Sequence, residues 1–274
     1  MRRLNSLHGA AFVSGASKGL GREFALMLLG EGVRVWGTSR DPSRLADLAA
    51  AHPGAFFPVA LDLADPGGAL RAFAAASEAA GGGFDLVVNN AGYGVFGEFA
   101  TVESSVWRAQ VGEMLGTVLE LSHAAFRSMR TRNRGCLVHI SSIAAEFPIP
   151  LMSGYNVAKA GLSALSESLM FESRGTGITI IDFRPGDYQT DFNRAMQTDS
   201  SSETARRAWS ALEATFAGSP EPRRAALDLR RALLANRSGV VRSGSLFQAR
   251  LAPLLARLCP AWAMRRGIAR YFGL

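Results

Sequence analysis

An α/β doubly wound fold, with a parallel seven-stranded sheet and helices on both faces, is what this chain predicts. Three observations carry the prediction. Short apolar runs alternate with longer helix-like segments. Those runs are apolar throughout, as strands covered on both faces should be. A glycine-rich stretch, SGASKGLG from Ser14 to Gly21, directly follows the first run, at the point where such a fold enters its first helix.

The elements follow in order. Strands are expected at Ala10–Val13, Val33–Thr38, Phe56–Leu61, Phe84–Asn89, Cys136–Ser141 and Ile178–Arg184, with a weaker one at Gly239–Val241. Helices are expected between them, at 20–30, 43–51, 67–80, 104–131, 156–173 and 203–235. Two regions leave this rhythm. Residues 187–220 are polar, with TDSSSET at their centre, and read as a mobile substrate loop leading into a helix. Residues 245–274 form a tail in which Phe247, Leu251, Leu254, Leu255 and Leu258 keep helical spacing until Pro260 ends the run. The expected organisation is one domain over 1–244 with a helical extension over 245–274.

Bulk composition agrees. A chain of 274 residues that is 48% hydrophobic can build one sizeable core. With 19% charged residues it does not read as disordered. The net charge of +7 favours anionic partners, phosphorylated cofactors and acidic lipid surfaces among them. No basic patch interleaved with aromatics points to nucleic acid. Of the two cysteines, Cys136 lies in the apolar run CLVHI and reads as a buried thiol. No CxxC or Cys/His cluster suggests a metal, and a reducing, cytoplasmic compartment fits. The N-terminal MRRLNSLHGAAFVSGAS imitates a signal peptide, but its apolar part is needed as the first strand. No charge-free apolar window is long enough to predict a membrane-spanning helix.

In the glycine turn, Gly15, Gly19 and Gly21 allow a tight bend and a close approach by a ligand. The helix that follows, opening on Leu20, points free N–H groups and its positive dipole end at the same place, which suits a pyrophosphate. The second strand ends at Ser39-Arg40, where a cofactor with a ribose 2′-phosphate meets a cation and one with a free 2′-hydroxyl meets a carboxylate. Arg40 and Lys18 favour NADP(H) over NAD(H), although Asp41, one residue on, keeps the second option open.

SGASKGLG, the NNAG of Asn89–Gly92, the ISS of Ile140–Ser142, the pair Tyr155-x-x-x-Lys159 and the PGDYQT of Pro185–Thr190 stand in an order and spacing that resembles the short-chain dehydrogenase/reductase family, over residues 9–242. The resemblance implies a Rossmann-type fold and a catalytic set of Ser142, Tyr155 and Lys159. Tyr155 would give a proton to a substrate carbonyl oxygen or take it in reverse. Lys159, one helical turn on, would lower the phenol's pKa and hold the nicotinamide ribose. Ser142 would position the reacting oxygen. The cofactor would further meet Ser17 in the glycine turn, Asp62 and Leu63 at the adenine, Asn89, Ala91 and Gly92 beside the adenosine ribose, and Pro185, Gly186 and Thr190 at the nicotinamide. A homodimer or homotetramer acting on a small carbonyl or alcohol, with an apolar or lipid-like substrate, completes the expectation.

One departure stands out. The family has an asparagine in the long helix after the fourth strand, for proton relay; here the candidate positions are Glu113 and Met114. Glu113 could carry protons itself, pair with Lys159 or point elsewhere. A non-catalytic NADP(H)-binding sensor or scaffold is the alternative reading. His123 and His139 read as interior histidines, His139 as a hydrogen-bonded core group. The tail, with Arg250, Arg257, Arg265, Arg266 and Arg270 around Trp262, Tyr271 and Phe272, could be a lid, a subunit contact or a peripheral membrane anchor.

Overall fold

The computed structural model describes residues 3–192 and 195–274, except for the side chains of residues 217, 256 and 257. Asn193 and Arg194 of the expected substrate loop, and the Arg257 side chain, lie outside the described residues.

Seven parallel strands form the sheet: β1 (Ala10–Val13), β2 (Arg34–Ser39), β3 (Phe56–Ala60), β4 (Leu86–Asn89), β5 (Gly135–Ile140), β6 (Ile178–Pro185) and β7 (Gly239–Ser243). Their spatial order is β3, β2, β1, β4, β5, β6, β7. The order reverses between β1 and β4, which opens a crevice beyond their carboxyl ends. The edge strand anticipated at Gly239–Val241 runs on to Ser243, pairing Ile181 with Gly239 and Pro185 with Ser243.

Side chains alternate along each strand, so each strand feeds two cores. Ala11 and Val13 face one layer with Phe24 and Leu28 of α1 (Gly19–Gly30), Leu48 of α2 (Ala46–Ala51) and Leu229 of α8 (Pro222–Ala235). Ala10 and Phe12 face the other, with Phe73 of α3 (Pro66–Ala79), Leu121 of α5 (Val118–Arg132) and Leu162 of α6 (Ser153–Glu172). The apolar runs are therefore apolar because both of their faces are covered.

Local chemistry sets the helix ends. Asp65 caps α3 by accepting from the Gly68 amide at 2.9 Å, with Pro66 at the first helical position. Ser202 caps α7 (Glu203–Ala217) by accepting from the Ala205 amide at 3.0 Å. The single helix expected over 203–235 is two helices. Pro220 and Pro222 lack an amide hydrogen and end α7 before α8 begins. The polar stretch 187–220 accordingly holds the whole of α7, together with a two-residue parallel pairing of Gln197–Thr198 with Val95–Phe96. The long helix expected over 104–131 is interrupted. α4 (Ser104–Val111) passes through a π-helical turn, Gly112–Thr117, into α5.

After β7 the chain continues through a π-helical turn (Phe247–Leu251), α9 (Ala252–Leu258) and α10 (Ala261–Tyr271), with the break at Pro260. His123 is exposed on α5, contrary to the interior position expected for it. Its place on the helix turns it away from Leu121 and Ala125, which face the core.

Candidate active site

The glycine turn folds over the carboxyl end of β1. Gly15 and Gly19 sit at φ 69° and 57°, where a Cβ is disfavoured. A Cβ on Gly21 would lie 2.2 Å from the Gly15 carbonyl oxygen, so the turn closes only with glycine there. The turn is pinned from β4: the Asn90 side chain donates to the Ser14 carbonyl at 2.9 Å, and Ser14 Oγ accepts from the Asn90 and Ala91 amides at 2.9 and 3.0 Å. Asn90 and Ser14 hold the loop itself, and sequence reasoning missed both. Lys18 stands at the N-cap of α1 with no side-chain cap, so the first-turn amides of that helix stay available to an anion. Thr190, from the segment after β6, approaches from the opposite side: a Cβ on Gly19 would lie 3.5 Å from Thr190 Cβ.

At the end of β2, Ser39 is buried and Arg40 exposed. Asp41 is engaged elsewhere. Its Oδ1 accepts from the Ser43 amide at 3.0 Å and the Ser43 hydroxyl at 2.6 Å, which holds its carboxyl below the usual range. Asp62 accepts from the Ala64 amide at 3.0 Å, and Leu63 is buried, its carbonyl accepting from Thr117 Oγ1 at 2.8 Å. Asn89 turns its side chain inward and donates to Ser122 at 2.9 Å, while Gly92 is exposed. Ser17 and Leu20 are partly buried in the glycine turn and at the start of α1. These residues could cradle a dinucleotide: glycine where a side chain would collide, free amides at a helix start, and a cation at the second strand's end.

The π turn decides the Glu113–Met114 question. Met114 points inward. It is buried, its Sδ accepts from the Tyr93 amide at 3.5 Å, and its Cε would lie 2.9 Å from a Cβ on Gly92. Glu113 instead stands near the Tyr93 hydroxyl and feels the charges of Asp62 and Arg40. Burial and the Asp62 charge raise its carboxyl, against Tyr93 and Arg40. Burial, then Glu113, pushes the Tyr93 phenol up to about 12. Glu113 thus lies with Tyr93, Asp62 and Arg40 and does not pair with Lys159.

Ser142, Tyr155 and Lys159 come together. Ser142 follows β5 and accepts from the Ala144 amide at 3.0 Å. Tyr155 and Lys159 share a face of α6; the Lys159 Nζ lies 5.6 Å from the centre of the Tyr155 ring, and Ser142 is close enough to the Tyr155 phenol to favour its ionised form. Burial pushes the Tyr155 phenol up to about 12 despite the nearby Ser142 hydroxyl, and the Asp187 charge adds to the rise. The phenol therefore stands above its ordinary value, the opposite of the lowering expected from Lys159. Lys159 donates to the Ile140 carbonyl at 2.7 Å, and burial lowers its ammonium to about 8 against the pull of Asp182.

Beneath the three residues lies a buried polar network. Asp182 of β6 is wholly buried; it accepts from Ser141, from Ser163 at 2.8 Å and from Arg184 Nε at 2.8 Å. Arg184 also pairs with Glu146, which Arg242 of β7 meets at 2.8 Å. Alongside, His139 bridges Ser122 at 2.9 Å and Ser166 at 2.8 Å, and burial lowers its imidazole to about 4, which keeps it neutral. It is the core group that was expected. The signal for the network was present in ITIIDFRP: two opposite charges inside a run otherwise apolar enough to be covered on both faces. Cys136 is buried, and burial pushes its thiol up to about 12. Among the described residues, no group of three or more His, Cys, Asp or Glu side chains could hold a metal ion.

Above Tyr155 sits an apolar cluster. Phe96, Met152 and Met196 pack there with Leu212 of α7 and Phe272 of the tail, and Tyr155 and Phe192 lean against it. The tail also reaches the site through Gln248, whose Oε1 accepts from the Asp187 amide at 3.3 Å and whose Nε2 donates to the Asp187 carboxylate.

A parallel sheet of this order, with a glycine turn at its switch point and a serine–tyrosine–lysine set beside the crevice, defines a dinucleotide-binding oxidoreductase class. The short-chain dehydrogenase family model matches residues 9–201. The chain belongs to the short-chain dehydrogenase/reductase family. It is 32% identical over 194 residues to the oxidoreductase BOA17 of Botryotinia fuckeliana, covering 70% of each chain. It is 30% identical over 192 residues to the 3-oxoacyl-[acyl-carrier-protein] reductase FabG of Escherichia coli, covering 69% of this chain and 77% of that one. Among solved structures, a short-chain dehydrogenase from Streptomyces avermitilis superposes with a TM-score of 0.81 at 27% identity, over 94% of this chain and 97% of that one. A metagenomic short-chain oxidoreductase in complex with NADP superposes at 0.67 and 29% identity, over 86% and 98%. A Burkholderia phymatum short-chain dehydrogenase/reductase in complex with NAD shares the fold, with a TM-score of 0.79 at 22% identity over 91% and 92%.

Proposed function

We infer that the protein is an NADP(H)-dependent oxidoreductase that interconverts a carbonyl and a secondary alcohol on an apolar substrate. The observation that carries this is the convergence of Ser142, Tyr155 and Lys159 from two separate elements beside the glycine turn. A bound nicotinamide would exchange hydride with the substrate carbon. Tyr155 gives its proton to the carbonyl oxygen, or removes it in the alcohol direction, and Ser142 holds that oxygen in place. Lys159 stands within reach of the ring as the cation that steadies a phenolate. The NADP(H) preference rests on Arg40 at the end of β2, with Asp41 occupied by its own cap. The apolar substrate rests on the cluster around Met152, Met196 and Phe272 above Tyr155.

The test is NADPH oxidation across a panel of carbonyls graded in apolar size, with NADH in parallel. Turnover of bulky ketones with NADPH is the expected result. NADPH binding with no turnover on any carbonyl would favour the alternative, a non-catalytic NADP(H) sensor or scaffold. That second reading draws on Met114 in the relay region and on the raised Tyr155 phenol.

A further inference from the structure

The tail has two faces. Ile268 and Phe272 of its last turns pack inward on the cluster over Tyr155, and Gln248 clasps Asp187. The outward side is unusually apolar. Of the fourteen large apolar side chains exposed among the described residues, nine lie within 246–274, and the other five are scattered over the rest of the chain. Leu246, Phe247, Leu254, Leu255, Leu258 and Trp262 carry most of the patch; Leu254 is 55%, Leu258 76% and Trp262 67% exposed. A concentration of this kind marks an interaction surface rather than ordinary surface apolarity.

Charge indicates what covers it. Residues 245–274 contain five arginines and no aspartate or glutamate. Arg250, Arg265, Arg266 and Arg270 are exposed around the apolar side chains. A second copy docked by two-fold symmetry would set this patch against itself, arginine near arginine with no carboxylate of the patch to pair them. An anionic lipid surface meets both halves of the patch. The leucines and the Trp262 indole enter the headgroup boundary while the guanidinium groups meet lipid phosphates. No described helix is long and apolar enough to cross a membrane, so the tail would lie on the surface.

We propose that α9, α10 and the turn before them dock the protein on anionic membrane surfaces, with the apolar cluster over Tyr155 lying directly behind the docked face. The docking goes beyond the catalytic reading and does not depend on turnover.

The experiment is flotation of the full chain with vesicles of pure phosphatidylcholine and with vesicles of equal parts phosphatidylcholine and phosphatidylglycerol. Binding to the mixed vesicles should be at least about tenfold tighter, and should weaken as salt rises. Replacing Arg265 and Arg266 by alanine should cost about fivefold per arginine. The double substitution Leu254→Glu and Leu258→Glu should cost at least about tenfold, and both side chains are exposed enough for the fold to survive, which a thermal melt verifies. Equal, weak binding to both vesicle types overturns the proposal. So does an absence of vesicle binding together with a dimer, seen by sedimentation, that the same double substitution dissolves; a second copy would then cover the patch. Tyr155→Phe should float like the wild type, so failure of the catalytic reading would leave this result intact.

Discussion

Lys159 gives its ammonium to the Ile140 carbonyl at 2.7 Å while standing 5.6 Å from the centre of the Tyr155 ring. One cation is thus tied to the strand that delivers Ser142 and set beside the phenol that Ser142 meets. The three residues form one mechanical unit across β5 and α6. Burial acts on both ionisable members, raising the phenol and lowering the ammonium, so each is drawn toward its neutral form.

Tyr155→Phe removes the proposed proton donor and keeps the ring packed against Phe192. Turnover on a true substrate should fall on the order of 10²–10⁴-fold. NADPH binding, followed by fluorescence titration, should stay within a few-fold of wild type. A variant that retains full turnover would remove Tyr155 from the reaction.

Arg40→Asp replaces a cation at the end of β2 with a carboxylate. Affinity for NADPH should drop by about 30-fold or more, since a hydrogen bond to a charged group contributes roughly 2 kcal/mol. NADH should change far less. Titration of both cofactors against both proteins decides it, and an equal loss for the two would contradict a 2′-phosphate contact.

His139 makes the fold acid-sensitive. Its imidazole is neutral in the folded protein down to about 4, whereas the unfolded chain takes up the proton near 6.5. Between those values the unfolded state binds more protons, so stability falls as pH falls through that window, by about 3 kcal/mol from this group. His139→Gln should be less stable at pH 7, having lost its place between Ser122 and Ser166, but the gap to wild type should narrow toward pH 4. Urea midpoints at several pH values measure it; a gap that does not change with pH would count against the assignment.

Arg184→Met leaves the buried Asp182 carboxylate with only Ser141 and Ser163 as donors. Loss of one member of a buried pair costs about 3–5 kcal/mol. The double variant Asp182→Leu/Arg184→Met should recover part of that loss in denaturant titrations, because the buried carboxylate left without its cation is then gone; the recovery stays partial because Lys159 also loses the pull of Asp182. If the double variant is no more stable than the single one, the pair is not coupled as its geometry indicates.

Much of the fold was legible because most strands announce themselves as short runs apolar on both faces, and the longer stretches between them read as helices. The errors fell where contacts outrank pattern. His123 reads as interior in the sequence, but its helix turns it outward. The helix expected over 203–235 breaks at Pro220 and Pro222, a stop that the sequence itself carries. In the candidate site, Asn90 and Ser14 were invisible because asparagine and serine beside a glycine turn are common, and only the fold shows that they pin it.

By itself the sequence determined the sheet, its glycine turn and the pairing of Tyr155 with Lys159. All three depend on local pattern: short runs apolar on both faces, a turn only glycine can make, and one turn of helix. Tertiary structure alone decided that Ser142 reaches Tyr155, that Met114 rather than Glu113 faces inward, that Asp182 and Arg184 lie buried together, and that the tail turns one face to the site and the other to solvent. These are contacts between elements distant in the chain. A single π turn is enough to rotate a helix face, and no spacing rule records which element will pack against which.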